Sequence, residues 1–156
     1  MSIFAQNFRD AMYVAKCNVF TSQLVNGTYY PASGSFIDCS AFVKCGFLVT
    51  TEACADAAVI LRPYQFTAAT GSPKVINATY ATITLVATNL HFVEWETRVM
   101  DIANGFKFAT LYLVSGAAGT DYASILFFGW GAKDLPVTQT ATFPVANYAK
   151  YLVSTP

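Results

Sequence analysis

A single histidine limits the chemistry open to this 156-residue chain. His91 is the one imidazole that could act as a general base, with Asp38 or Cys39 as its candidate neighbours. Nucleophilic catalysis needs such a base beside an activated serine, cysteine or threonine. No Gly-X-Ser-X-Gly elbow accompanies it, and the plainer reading is a partly buried strand histidine. Glu94 and Glu96 stand two apart, so on a strand they share a face. Paired carboxylates of this kind serve glycosidases, but Arg98 follows on the same face, and a solvated ion pair accounts for the trio. Cys17, Cys39, Cys45 and Cys54 are separated by 22, 6 and 9 positions, which matches no zinc-binding pattern. They read as free, packed thiols. The glycines are scattered at turns and form no phosphate cradle. The chain is therefore read as no enzyme, with no catalytic residue, no cofactor and no metal.

Composition narrows the partners. Nine basic and nine acidic residues cancel, so no overall field recruits nucleic acid or an anionic membrane. The longest apolar stretches, such as 123–130, fall short of the roughly 20 residues of a spanning helix. The N-terminus lacks the basic start, apolar centre and small-residue cleavage site of a signal peptide. Folding in a reducing cytosol is expected, and the sequons at Asn26 and Asn77 then read as ordinary turn and strand residues. Only 12% of residues are charged and 54% are hydrophobic, against a usual charged share of about 25%. A surface so poor in charge invites association, and part of it is expected to be covered in the working state.

The elements that must position these residues are strands. β-Branched and aromatic residues dominate and turn signals recur at short intervals, which predicts an all-β antiparallel sandwich, jelly-roll or Ig-like. Strands are expected at 13–20, 36–39, 42–50, 57–67, 80–87, 91–99, 106–114 and 122–130. Residues 23–35 read as a polar loop, 51–56 as a connection with room for one helical turn, and 70–73 as a turn. Pro63 predicts that the strand 57–67 lies at a rim. In 91–99, Phe92, Glu94, Glu96 and Arg98 point to a wet or interfacial face, while His91, Val93, Trp95, Thr97 and Val99 point to the core. The strands at 106–114 and 122–130 lack polar alternation and are expected to be covered on both faces, by the chain's own arm or by a neighbour.

That arm is the last segment. The sandwich is expected over residues 1–132 and an extended C-terminal arm over 133–156. Pro136 and Pro144 forbid a continuous helix, yet the segment is richer in apolar residues than a solvated tail. Leu135, Val137, Phe143, Val145 and Tyr148 are the expected interface residues, contacting at least partly another chain.

The run Ile37-Asp-Cys-Ser-Ala-Phe42, leading into Lys44-Cys-Gly-Phe-Leu-Val49, resembles the start of small capsid-associated proteins of tailed bacteriophages. In that family an Ile-Asp-(apolar)-Ser-Gly-(aromatic) step enters the first core strand; Ala41 stands here in place of the glycine. The blocks 59–71 and 106–116 are similar too. The most specific block is Trp130-Gly-Ala-Lys-Asp-Leu-Pro-Val-Thr-Gln139, close to the family's aromatic, Gly, small, basic, X-Leu-Pro-Val-Thr-Gln. The resemblance implies a capsid decoration (cement) or minor head protein, placed on the capsid exterior of the virion and assembled in the host cytoplasm. Its implied partners are the major capsid protein and itself, as a homotrimer, with no nucleic acid and no membrane. A second reading is a carbohydrate- or receptor-binding sandwich of a phage particle, whose aromatics stack on sugar rings. Tyr29, Tyr30, Tyr64 and Trp130 are its candidates.

Overall fold

The computed structural model describes residues 12–19, 21–53, 59–76, 83–85, 90–115 and 121–131. They form an all-β sandwich of two antiparallel sheets. In chain order the strands are β1 (Met12–Asn18), β2 (Tyr29–Tyr30), β3 (Ile37–Asp38), β4 (Lys44–Ala53), β5 (Val59–Phe66), β6 (Lys74–Val75), β7 (Ile83–Leu85), β8 (Leu90–Glu96), β9 (Phe108–Ser115) and β10 (Tyr122–Trp130). Sheet A has the order β1-β10-β4-β8; sheet B has β2-β9-β5-β6, with β3 also on β9 and β7 also on β5. The antiparallel pairs nest inside one another. Strand β1 pairs with β10, β2 and β3 with β9, β4 with β8, and β5 with β6 and β7. Nested pairs shared between two sheets are the jelly-roll arrangement. Of the two architectures the sequence allows, this is the one present.

Alternation fixes which side chains meet between the sheets. Strand β10 buries every second residue, Ala123, Ile125, Phe127 and Gly129. Its pairings build continuous inward rows. Ala15, Phe127, Phe47 and Val93 make one, and Tyr13, Gly129, Cys45 and Trp95 the next. Sheet B answers with Leu61, Leu111, Leu113 and Ala109, each fully buried. Aromatic rings knit the centre: Phe47 lies 5.3 Å from Phe127 and 5.6 Å from Trp95. Gly129 has a local reason to be glycine. A Cβ there would stand 2.6 Å from the ring of Phe42, which fills the end of the core.

Several expectations are corrected. Strand β4 continues to Ala53 instead of ending in a connection at 51. Strand β5 does not lie at a rim, because it sits between β9 and the short partners β6 and β7. Pro63 falls where that partner changes: its carbonyl accepts the Ile76 N–H at 3.1 Å. Its nitrogen faces the same side, between the residues paired to β7 and to β6, where the missing donor interrupts no described pairing. Strand β8 ends at Glu96 and gives way to a 3₁₀ turn at Thr97–Val99. The period of two stops there, so Thr97 is buried as expected while Val99 is exposed. The loop expected over 23–35 contains β2 and supplies the cover over β9. Thr110, on the outer side of β9, is buried and donates its hydroxyl to the Pro31 carbonyl at 3.0 Å. Phe36 packs on Phe66, with ring centroids 4.4 Å apart. Of the strand expected at 80–87, Ile83–Leu85 is described. The arm at 133–156 lies outside the described residues.

The crossing from sheet A to sheet B after β8 is tied down by polar contacts. The buried Gln65 accepts the Asp101 N–H at 2.8 Å and donates to the Val75 carbonyl at 3.3 Å. The carboxylate of Asp101 takes Lys74 and Asn104. At the other edge Asp38 accepts from the hydroxyl and N–H of Ser40 and pairs with Lys107 at 3.1 Å.

Two predictions follow from this packing. Trp95→Ala is expected to cost about 3–5 kcal/mol through the cavity it leaves, measured by urea unfolding; an unchanged midpoint would overturn the register of β8. The second concerns acid. Burial alone would raise the Asp38 carboxyl, but Ser40 and Lys107 outweigh it and hold the group below its usual value; Lys74 and Asn104 lower Asp101. A depressed folded value stabilises the fold above the unfolded carboxylate value of about 4, and this is lost as pH falls through the folded value. Melting temperature should therefore fall as pH drops below about 4, and Asp38→Asn should blunt the fall.

Candidate interaction faces

The residues with chemical potential are not brought together. Asp38 sits in sheet B with Ser40 and Lys107, whereas His91 lies in sheet A opposite Val49. Cys39 is fully buried and its sulfur donates to the Ile37 carbonyl at 3.6 Å. Cys17, Cys39 and Cys45 are free thiols. Burial pushes Cys17 up to about 12. Burial, and then the neighbouring Cys45, push Cys39 well above the ordinary thiol range. Thiols held protonated in this way are poor nucleophiles. Cys54 lies outside the described residues. Among the described residues no cluster of His, Cys, Asp or Glu is placed to hold a metal ion.

The outward face of sheet A is where apolar surface accumulates. Its rows follow from the pairings. Met12, Trp130, Lys44 and Glu96 form one; Val14, Phe128, Gly46 and Glu94 the second; Lys16, Leu126, Leu48 and Phe92 the third; and Ser124, Thr50 and Leu90 the fourth. Leu90 and Phe92 are 67% and 51% exposed. Phe92 stacks on Trp130 with centroids 6.1 Å apart and planes 26° from parallel. Gly46 makes that stack possible, because a Cβ there would meet the Val93 carbonyl at 2.7 Å and the Phe92 ring at 3.0 Å. The face is therefore an aromatic ridge crossing β4 diagonally. Charge is confined to its flanks, in Lys16, Lys44, Glu94 and the Glu96–Arg98 ion pair. An apolar centre and a charged rim are the composition of a protein contact.

The expected wet or interfacial side of 91–96 is this face, and Glu94 and Glu96 lie on it, with Glu94 exposed. Leu90, Leu48 and Phe128 belong to it as well, and their signal was hidden in apolar runs without polar alternation. The five expected interface residues Leu135, Val137, Phe143, Val145 and Tyr148 lie outside the described residues. The four candidate stacking aromatics divide. Tyr30 is buried and its hydroxyl accepts the Val25 N–H at 2.8 Å. Trp130 is on sheet A, whereas Tyr29 and Tyr64 are on the outward face of sheet B beside Tyr112.

The double substitution Glu94→Gln, Glu96→Gln should change the free energy of unfolding by no more than about 1 kcal/mol, since exposed ion pairs contribute little. Urea titration checks this; a loss of several kcal/mol would mean these carboxylates support the fold itself.

Comparison with protein-family models, with curated proteins and with solved structures finds no match to this chain.

Proposed function

We propose that this chain is a non-enzymatic structural protein of a tailed-phage virion, which decorates and stabilises the icosahedral head by binding the lattice of the major capsid protein. The observation that carries the reading is the aromatic ridge of sheet A, where Leu90 and Phe92 stand exposed beside Trp130 between charged flanks. Apolar surface displayed in this way marks a site of protein contact. The low charge of the whole chain supports the same reading, as does the resemblance in Trp130–Gln139. The jelly roll recurs in viral capsid and lectin domains, which agrees with the proposal as an analogy of fold alone.

A decorating protein meets a repeating lattice, so modest contacts multiply into stable attachment. A closed cyclic oligomer suits such a surface, and a homotrimer matches its three-fold positions. In this reading the sheet A ridge and the apolar arm at 133–156 share the contact, and an extended arm can add a strand to a neighbour's sheet edge. The protein works on the capsid exterior after assembly in the host cytoplasm.

Particles stripped of the protein and reloaded with recombinant chain provide the test. Leu90→Ser, Phe92→Ser is expected to melt close to the parent yet load poorly, because both side chains are already in solvent. A chain ending at Lys133 is expected to fold and to load poorly as well. Full occupancy by both variants, or no band for the protein in purified virions, would overturn the proposal.

A further inference from the structure

Sheet B presents a different outward face. The pairings Tyr29↔Tyr112 and Tyr112↔Arg62 set one residue from each of β2, β9 and β5 in a single row. Tyr64 stands two residues beyond Arg62, on the same side of β5. The rings of Tyr29 and Tyr112 are 4.7 Å apart, and Tyr64 meets Tyr112 edge-on at 5.4 Å. All four side chains are half-buried, whereas Phe36 and Phe66 next to them are covered. The three phenols are close enough to influence one another: burial first, and then Tyr112 and Tyr64, raise the value for Tyr29.

Arg62 is the unusual member. Its Nε is buried and has no hydrogen-bond partner. A guanidinium keeps its charge at any working pH, and a buried charged donor left unmade is costly. Among the described residues no carboxylate pairs with it; Asp38, on the same face, is engaged by Ser40 and Lys107. The row therefore holds a cation with donor capacity to spare, walled by rings that each offer an apolar body and a polar tip.

We propose that this row binds an acidic sugar. The pyranose lies against Tyr64 and Tyr112, its carboxylate on the guanidinium of Arg62 and its hydroxyls on the phenolic groups. Arginine matches a carboxylate with two parallel hydrogen bonds, which supplies the charge complementarity. The position of the row selects a sugar over a peptide. Extended peptides are held by the open edge of a sheet, but Tyr112 of β9 is paired on both sides. On β5 the gap between the β7 and β6 pairings is only Arg62 and Pro63, whose carbonyl already takes the Ile76 N–H. A ligand here is recognised by side chains alone, through stacking and hydroxyl contacts. The site lies on the opposite sheet from the aromatic ridge and does not depend on what that ridge meets.

The test titrates methyl β-glucuronide and methyl β-glucoside into the isotope-labelled full chain, following tyrosine ring and arginine Nε signals by NMR. The glucuronide is expected to shift the Arg62 Nε–H and the Tyr64 and Tyr112 rings along one saturating curve. The glucoside should bind about tenfold more weakly or worse, since losing even one of the two charge-assisted hydrogen bonds has that effect. Arg62→Gln should erase the difference between the two sugars. Tyr64→Ala should weaken both, and it keeps the test decisive if the arginine variant folds poorly. Absence of binding, equal affinity for the two sugars, shifts confined to other residues, or a response to the peptide Gly-Glu-Gly but not to the glucuronide would each overturn the proposal.

Discussion

Everything in this fold depends on β10 lying between β1 and β4. It is the last of the described strands, yet it occupies the interior of sheet A, and its two ladders close the nest of antiparallel pairs. Through it the inward rows run unbroken, with Phe127 bridging Ala15 and Phe47. Because side chains alternate, the same pairings that send Phe127 inward send Leu126, Phe128 and Trp130 outward. A slip of one residue would exchange the core for the ridge. Core packing and the proposed contact surface are thus two sides of one register.

The sandwich treats its two outward faces differently. On sheet B the chain covers part of the outside itself, laying Pro31 and Phe36 over Thr110 and Phe66. What that segment leaves half-covered is the tyrosine row with Arg62. On sheet A the exposed end is the β8 side, where Leu90 and Phe92 project. Gly46 and Gly129, on neighbouring strands and directed to opposite faces, each clear space for an aromatic ring. Gly129 admits Phe42 to the core, and Gly46 lets Phe92 lean toward Trp130. A methyl group at either position would disturb one face and leave the other alone.

How far the sequence can be read depends on where polar residues interrupt it. Glu94 and Glu96 punctuate an apolar stretch with period two, so Val93 and Trp95 are legible as core. Strand β10 is legible in its bounds, because Asp121 and Gly131 frame it, but its two faces are not, since both are apolar. Strands β2 and β6 have two residues each, too few for any period, and exist because β9 and β5 offer edges to pair with. Pro63 misleads for a related reason: the residue reports a missing donor, but not that two short strands share one side of β5. Arg62 and Tyr112 are far apart in the chain, and only the β5–β9 register reveals them as neighbours. The ridge was half-legible in Phe92 and the two glutamates; Leu48 needed the β4–β8 pairing.

The nesting also orders events during synthesis. The innermost pairs, β5 with β6 and β7, join segments close in sequence and form early, while β1 waits for β10, the last described strand to be made. Pairings across long separations are slow and leave apolar edges open. Strands β1 and β4 leave the ribosome with inward-facing Ala15, Phe47 and Val49 and no strand between them. The nascent chain therefore carries an open seam down the middle of sheet A until Tyr122–Trp130 emerges, and a ribosome stalled before that point holds a half-roll with two sticky edges and nothing to join them.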